Sequence, residues 1–141
     1  MNAQCPRSEC TLEATGHLTS ENATIRSPYG GWPGYLALIQ TDFDRAGEKA
    51  WGVSAKYLRE LAGEEKTLSL FITYAQGTDR RDPATGNSLP TTREVDVDVI
   101  YKYEKKPRKV ELRLRNGFMD DGGARLSYQL RLILNYEVDL L

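Results

Sequence analysis

Five stretches of the chain alternate between apolar and polar residues with a period of two, the repeat of a strand whose side chains point to opposite faces. The longest is the last. From 126 to 141 the even positions read Leu126, Tyr128, Leu130, Leu132, Leu134, Tyr136, Val138 and Leu140. The odd positions read Ser127, Gln129, Arg131, Ile133, Asn135, Glu137 and Asp139. Upstream, Val110, Leu112 and Leu114 alternate with Glu111, Arg113 and Arg115. Before them Val95, Val97, Val99, Tyr101 and Tyr103 alternate with Glu94, Asp96, Asp98, Ile100 and Lys102. Leu68, Leu70, Ile72 and Tyr74 alternate with Thr67, Ser69, Phe71 and Thr73. Trp51, Val53, Ala55 and Tyr57 share one side of a strand whose other side carries Gly52, Ser54 and Lys56. Strands are predicted near 48–58, 66–76, 92–104, 108–116 and 125–139, all rich in β-branched and aromatic residues.

The connections alternate in length. Residues 59–65 and 104–108 are short links. Residues 76–92 form a long one, with Asp-Pro at 82–83 and Gly-Asn at 86–87 marking turns, and 116–124 is intermediate with Asp-Asp-Gly-Gly at 120–123. The predicted class is all-β, an antiparallel meander of about five strands filling 48–141. It is preceded by a Gly/Pro/aromatic loop over 26–47 and an irregular, unassigned segment over 1–25. An apolar face, a polar face and aromatics near the strand ends describe a transmembrane β-barrel, with short turns on the periplasmic side and longer loops outside. The same meander also builds soluble sandwiches, so a soluble ligand-binding or interaction module is the alternative.

Composition does not decide between them. The chain is 40% hydrophobic, its mean hydropathy is -0.54 and its net charge is -1. No apolar run reaches the ~18 residues of a transmembrane helix, a test that barrel strands escape because half of each is polar. Near-neutral charge argues against nucleic acid bound through its phosphates. Cys5, Cys10 and His17 fall short of the four ligands of a structural zinc site, so no metal is expected; a small disulfide loop between Cys5 and Cys10 suits an oxidising compartment. No Gly-rich phosphate loop and no nucleophile–base constellation is present. Neither an enzyme nor a cofactor is expected.

A second pattern is more specific. Ser27-Pro-Tyr-Gly-Gly-Trp-Pro-Gly-Tyr35, then Asp42-Phe-Asp-Arg-Ala-Gly-Glu-Lys-Ala-Trp51, and the ending Leu130-Arg-Leu-Ile-Leu-Asn-Tyr136 with Leu140 and Leu141, resemble the C-terminal part of the OprD family of outer-membrane porins. The resemblance covers about 26–141 and leaves 1–25 unmatched. It implies a barrel of about eighteen antiparallel strands in the bacterial outer membrane, of which this chain carries the last five. It implies passive, substrate-selective diffusion of small carboxylate-bearing solutes such as amino acids and aromatic or other organic acids. It also implies a basic ladder along the pore wall, which in this chain falls on Lys102, Arg113, Arg115 and Arg131.

The alternation alone places the same four on polar faces. Arg113 and Arg115 stand about 7 Å apart on one strand, with Arg131 and Lys102 on the strands beside it. A guanidinium stays charged and fits a carboxylate, and rows of Arg and Lys favour anions in pores. The competing reading pairs these cations with Glu111, Asp96, Asp98 or Glu137 as solvated wall. Glu94, Asp96 and Asp98 form a candidate opposing acidic row, or serve the same pairing. Tyr29, Trp32, Tyr35 and Phe43 either fold into the pore or pack on its rim. Trp51, Tyr57 and Tyr136 read as interface anchors. Residues 1–10 carry no signal-peptide pattern, and five strands are too few to close a pore. The expectation is a piece of a longer barrel whose upstream strands and surrounding outer-membrane lipid are its partners.

Overall fold

A computed structural model describes residues 8–21, 36–61, 65–82, 84–123 and 126–138. It contains one antiparallel sheet of six strands in chain order: β1 (Ser8–Leu18), β2 (Lys49–Leu61), β3 (Lys66–Thr78), β4 (Thr92–Lys105), β5 (Arg108–Asp120) and β6 (Ser127–Val138). The all-β meander expected from the alternation is present, with one strand more than the sequence suggested. The extra strand is β1, from the segment expected to be irregular. Its outward positions Cys10, Ala14 and Gly16 are too small to mark an apolar stripe, and Glu and Ala are poor strand formers. It forms because β2 offers a full edge, on which β1 is paired from Ser8↔Arg59 to Leu18↔Lys49. β5 also outruns its expected end at 116. Asn-Gly at 116–117 reads as a turn, yet the strand continues through Phe118 to Asp120 against β4 and β6.

Register keeps the two faces separate across all six strands. Partners such as Val53↔Tyr74, Val99↔Leu114, Leu114↔Leu132 and Leu112↔Leu134 put the apolar residues on one side. That side is exposed: Leu130, Leu132 and Leu134 are 55, 70 and 66% accessible, and Leu12, Val53, Ile72, Leu112 and Phe118 are open as well. Aromatic rings stand near both margins. Trp51 packs on Tyr74 at 5.4 Å and Phe118 on Tyr128 at 4.9 Å towards the long-loop end, while Tyr57, Tyr101, Tyr103 and Tyr136 lie towards the short-turn end. Tyr128 and Tyr136 stand about 26 Å apart along β6 at ~3.3 Å per residue, or about 20 Å in height for a strand tilted by roughly 40°.

Burial occurs on the other face. Residues 36–46, the described part of the connection leading into β2, lie over the polar side of the sheet, where Leu36, Phe43, Ala50 and Ala75 form a small apolar core with Leu38 at its margin. Three strand glycines on this face leave room for it. A Cβ on Gly52 would stand 2.5 Å from Leu36 Cδ2, one on Gly77 1.9 Å from Glu48 Oε1, and one on Gly117 3.2 Å from Ile39 Cβ. Glycine inside a strand marks such a close approach.

Candidate functional site: a charged wall under an inward-folded segment

The polar face carries the four predicted cations on three adjacent strands. Arg115 on β5 faces Asp98 on β4 and Arg131 on β6 in one cross-strand row. One row towards the short-turn end Arg113 lies between Ile100 and Ile133, and in the next Lys102 faces Glu111. The cations therefore climb as a strip from the short-turn end to the inward-folded segment. At its upper end Arg131 Nη2 donates to the Ile39 carbonyl at 2.9 Å and to Gln129 Oε1 at 3.0 Å.

Most of the strip is paired. Arg115 Nε donates to both oxygens of Asp98 at 3.0 Å, and Arg115 Nη2 lies 3.9 Å from Asp96. Arg113 Nη2 donates to Asp98 Oδ2, and Lys102 Nζ lies 3.0 Å from Glu111. Arg131 pairs with no carboxylate among the described residues. Arg113 Nε is buried and has no partner among them.

The candidate acidic row lies beside the cations in the sheet. Glu94, Asp96 and Asp98 stand on β4, the strand next to the arginines, and the register puts Asp98 directly beside Arg115. Glu94 and Asp96 share a side-chain hydrogen bond and otherwise accept from backbone. Asp96 Oδ2 accepts the Ile39 N–H at 2.8 Å, and the two oxygens of Glu94 accept the Gln40 and Thr41 N–H groups at 2.8 and 3.0 Å. These two carboxylates thus satisfy three consecutive amides of a segment that has no ladder of its own. On the same segment Gln40 Nε2 donates to the Gly117 carbonyl at 3.1 Å, and Ser127 donates to Gln40 Oε1 at 2.5 Å.

The far end of the segment is held by β1. His17 Nε2 donates to the Phe43 carbonyl at 2.5 Å, which ties the segment to β1. Phe43 is buried on the polar face, where it packs with Leu36, Ala50 and Ala75 near the long-loop end of the sheet; Tyr29, Trp32 and Tyr35 lie outside the described residues. Glu48, 1% exposed, accepts the Arg45 N–H at 2.9 Å, and burial pushes its carboxyl above the usual range. Arg80, also buried, donates to the Pro90 carbonyl, and burial lowers its pKa from the usual arginine value. Cys10 is a free thiol on the exposed apolar face of β1 and not half of a disulfide; Cys5 lies outside the described residues.

Between the segment and the strip a cleft of about 180 Å3 is lined by Leu38, Phe71, Asp98, Arg113 and Arg115, among others. Phe71 had attracted no role from the sequence. Its signal was a large aromatic at a polar-face position of an alternating strand. Comparison with known protein families, curated proteins and solved structures found no match for this chain.

Proposed function

We propose that the chain is part of an outer-membrane channel that lets small carboxylate-bearing solutes diffuse passively past a basic wall. One observation carries this reading: among the described residues the sheet exposes its apolar face over six strands and buries side chains on its charged face. In water that inversion is costly, since each exposed leucine forgoes about 1.5–3 kcal/mol of burial. Against lipid it is the expected arrangement. No helix among the described residues is long and apolar enough to cross a membrane, so crossing would fall to the strands. A sandwich needs a second layer on the apolar face, and among the described residues none covers it.

On this reading the charged face looks into the lumen, the segment from Leu36 to Ala46 narrows it, and Lys102, Arg113, Arg115 and Arg131 draw anions towards the narrowing. Asp98 tempers the two central arginines, so a solute carboxylate is attracted without being trapped, as conduction requires. The outer edges of β1 and β6 have no partner strand among the described residues. In lipid such edges must be paired, and further strands of a longer barrel would supply the pairs.

The test is uptake through the complete channel. Arg113→Ala combined with Arg131→Ala is expected to slow liposome entry of carboxylate solutes several-fold while neutral sugars enter as before. Unchanged carboxylate entry through a correctly folded barrel would refute the role of the strip. Recovery of the native protein as a detergent-free soluble monomer would refute the channel itself.

A further inference from the structure

We infer that the outward margin of the sheet at its short-turn end is a binding site for the headgroup of a negatively charged phospholipid, held by Lys66, Lys105 and Arg108 beside Tyr103. The inference rests on the channel reading and adds to it which lipid the wall selects and where.

Strand parity sorts the charges at this end. On the charged face the register places Glu60, Glu104, Lys109 and Glu137, with acids in the majority. On the outward face it places Lys66 on β3, Lys105 on β4 and Arg108 on β5, three adjacent strands, and all three residues are exposed. Lys105 Nζ lies 3.4 Å from Glu65, while Lys66 and Arg108 pair with no carboxylate among the described residues. The opposite margin of the same face is different. There Lys49 Nζ lies 2.7 Å from Asp79, and Arg93 Nη1 lies 3.5 Å from Asp120. The outward cations at the long-loop end are thus neutralised within the chain, and those at the short-turn end keep a net positive charge.

The surroundings of these cations fit lipid. Lys66 stands in one cross-strand row with Tyr103, Val110 and Tyr136, and its Nζ lies 6.0 Å from the centroid of the Tyr103 ring. One row nearer the turns, Lys105 is the partner of Arg108. One row farther from them stand Leu68, Tyr101, Leu112 and Leu134. Successive rows on a face are ~7 Å apart and neighbouring strands ~4.8 Å apart, so the three cations gather within about 12 Å. From leucines through tyrosines to cations, the order follows a phospholipid from acyl chain to charged headgroup. Tyrosine rings settle at the headgroup level of a bilayer, and long basic side chains lay their stems along apolar surface while their charge reaches the headgroups. Arg108 can grip a phosphate through two N–H donors, and the lysines attract it as point charges. A zwitterionic lipid brings its own cation to that phosphate. Basic clusters of this kind therefore favour lipids with net negative charge.

The experiment measures how spin-labelled phosphatidylglycerol and spin-labelled phosphatidylcholine associate with the complete channel in phosphatidylcholine vesicles. Both lipids carry a phosphate, and only the first has a net charge. The wild type is expected to prefer phosphatidylglycerol about three- to fivefold, the scale of a basic side chain acting on anionic lipid. Lys66→Gln combined with Lys105→Gln and Arg108→Gln is expected to abolish the preference. Lys49→Gln combined with Arg93→Gln, at the other margin, is expected to leave it unchanged. Equal association of the two lipids with the wild type, a preference that survives the triple variant, or an equal loss in the control variant would overturn the site and leave the channel standing. A folded protein that associates with neither lipid would overturn the channel reading and the site with it.

Discussion

Two kinds of residue decide how this sheet behaves, and they alternate along every strand. Leu114 is flanked across the sheet by Val99 and Leu132, all on the apolar side. Its neighbours Arg113 and Arg115 sit on the other side, paired with Asp98. A one-residue slip of β5 would turn both guanidiniums outward and the leucines inward, so the register is strongly specified. If lipid covers the apolar face, Leu114→Arg places a charge near the centre of the belt. The expected loss is about 2–4 kcal/mol in urea unfolding from lipid vesicles. Asn135→Arg on the charged face is expected to change stability by under about 0.5 kcal/mol. Equal losses at the two sites would mean that neither face meets lipid. At the same scale, Glu94 and Asp96 show why charge alone misleads. From sequence they are an acidic row awaiting a cation, whereas in the fold they hold the amides of Ile39, Gln40 and Thr41.

At the scale of elements, the strands and the inward-folded segment follow different rules. The alternation in β2, β3, β4 and β6 announces itself because bulky apolar residues fill one face. β1 was illegible because its outward face is built from Cys10, Ala14 and Gly16 with only Leu12 and Leu18 for bulk, and pairing with β2 defines it instead of propensity. The segment from Leu36 to Ala46 could not be placed by periodicity, since it has none. Its clues were Gly52, Gly77 and Gly117, each on the charged face where a side chain would collide with the segment or with Glu48 beside it. Glu48 also makes this region sensitive to pH. Its folded pKa is raised by burial above the unfolded value near 4.5. The stability it permits is therefore complete below the unfolded pKa and is lost as pH rises through the folded pKa. Glu48→Gln should match the wild type near pH 4 and melt at a higher temperature by about pH 8, as followed by near-ultraviolet circular dichroism. A gap of the opposite sign, or one independent of pH, would show that Glu48 is not held against its charge.

For the whole molecule, the sheet is ordered as a wall and not as a globule. β1 and β6 are its outer strands, neighbours in sequence are neighbours in space throughout, and among the described residues the packed core lies under the segment on the charged side. The long connections after β1, β3 and β5 gather at one end of the sheet and the short ones at the other. An all-β meander with one apolar and one charged face could be read from the alternation alone. The position of the basic strip followed from the same parity. The inward fold of the segment and the company Phe71 keeps required the third dimension. The central claim, that the apolar face meets lipid and the charged face meets water, is tested most directly along β6. Nitroxide labels placed singly from 129 to 135, omitting Arg131, in the full-length protein with Cys5 and Cys10 replaced by serine and reconstituted in vesicles, report each site's exposure to oxygen and to a water-soluble nickel complex. Labels at 130, 132 and 134 are expected to favour oxygen, and those at 129, 133 and 135 the nickel complex. Nickel access at all six sites, with no alternation, would contradict a membrane-embedded strand.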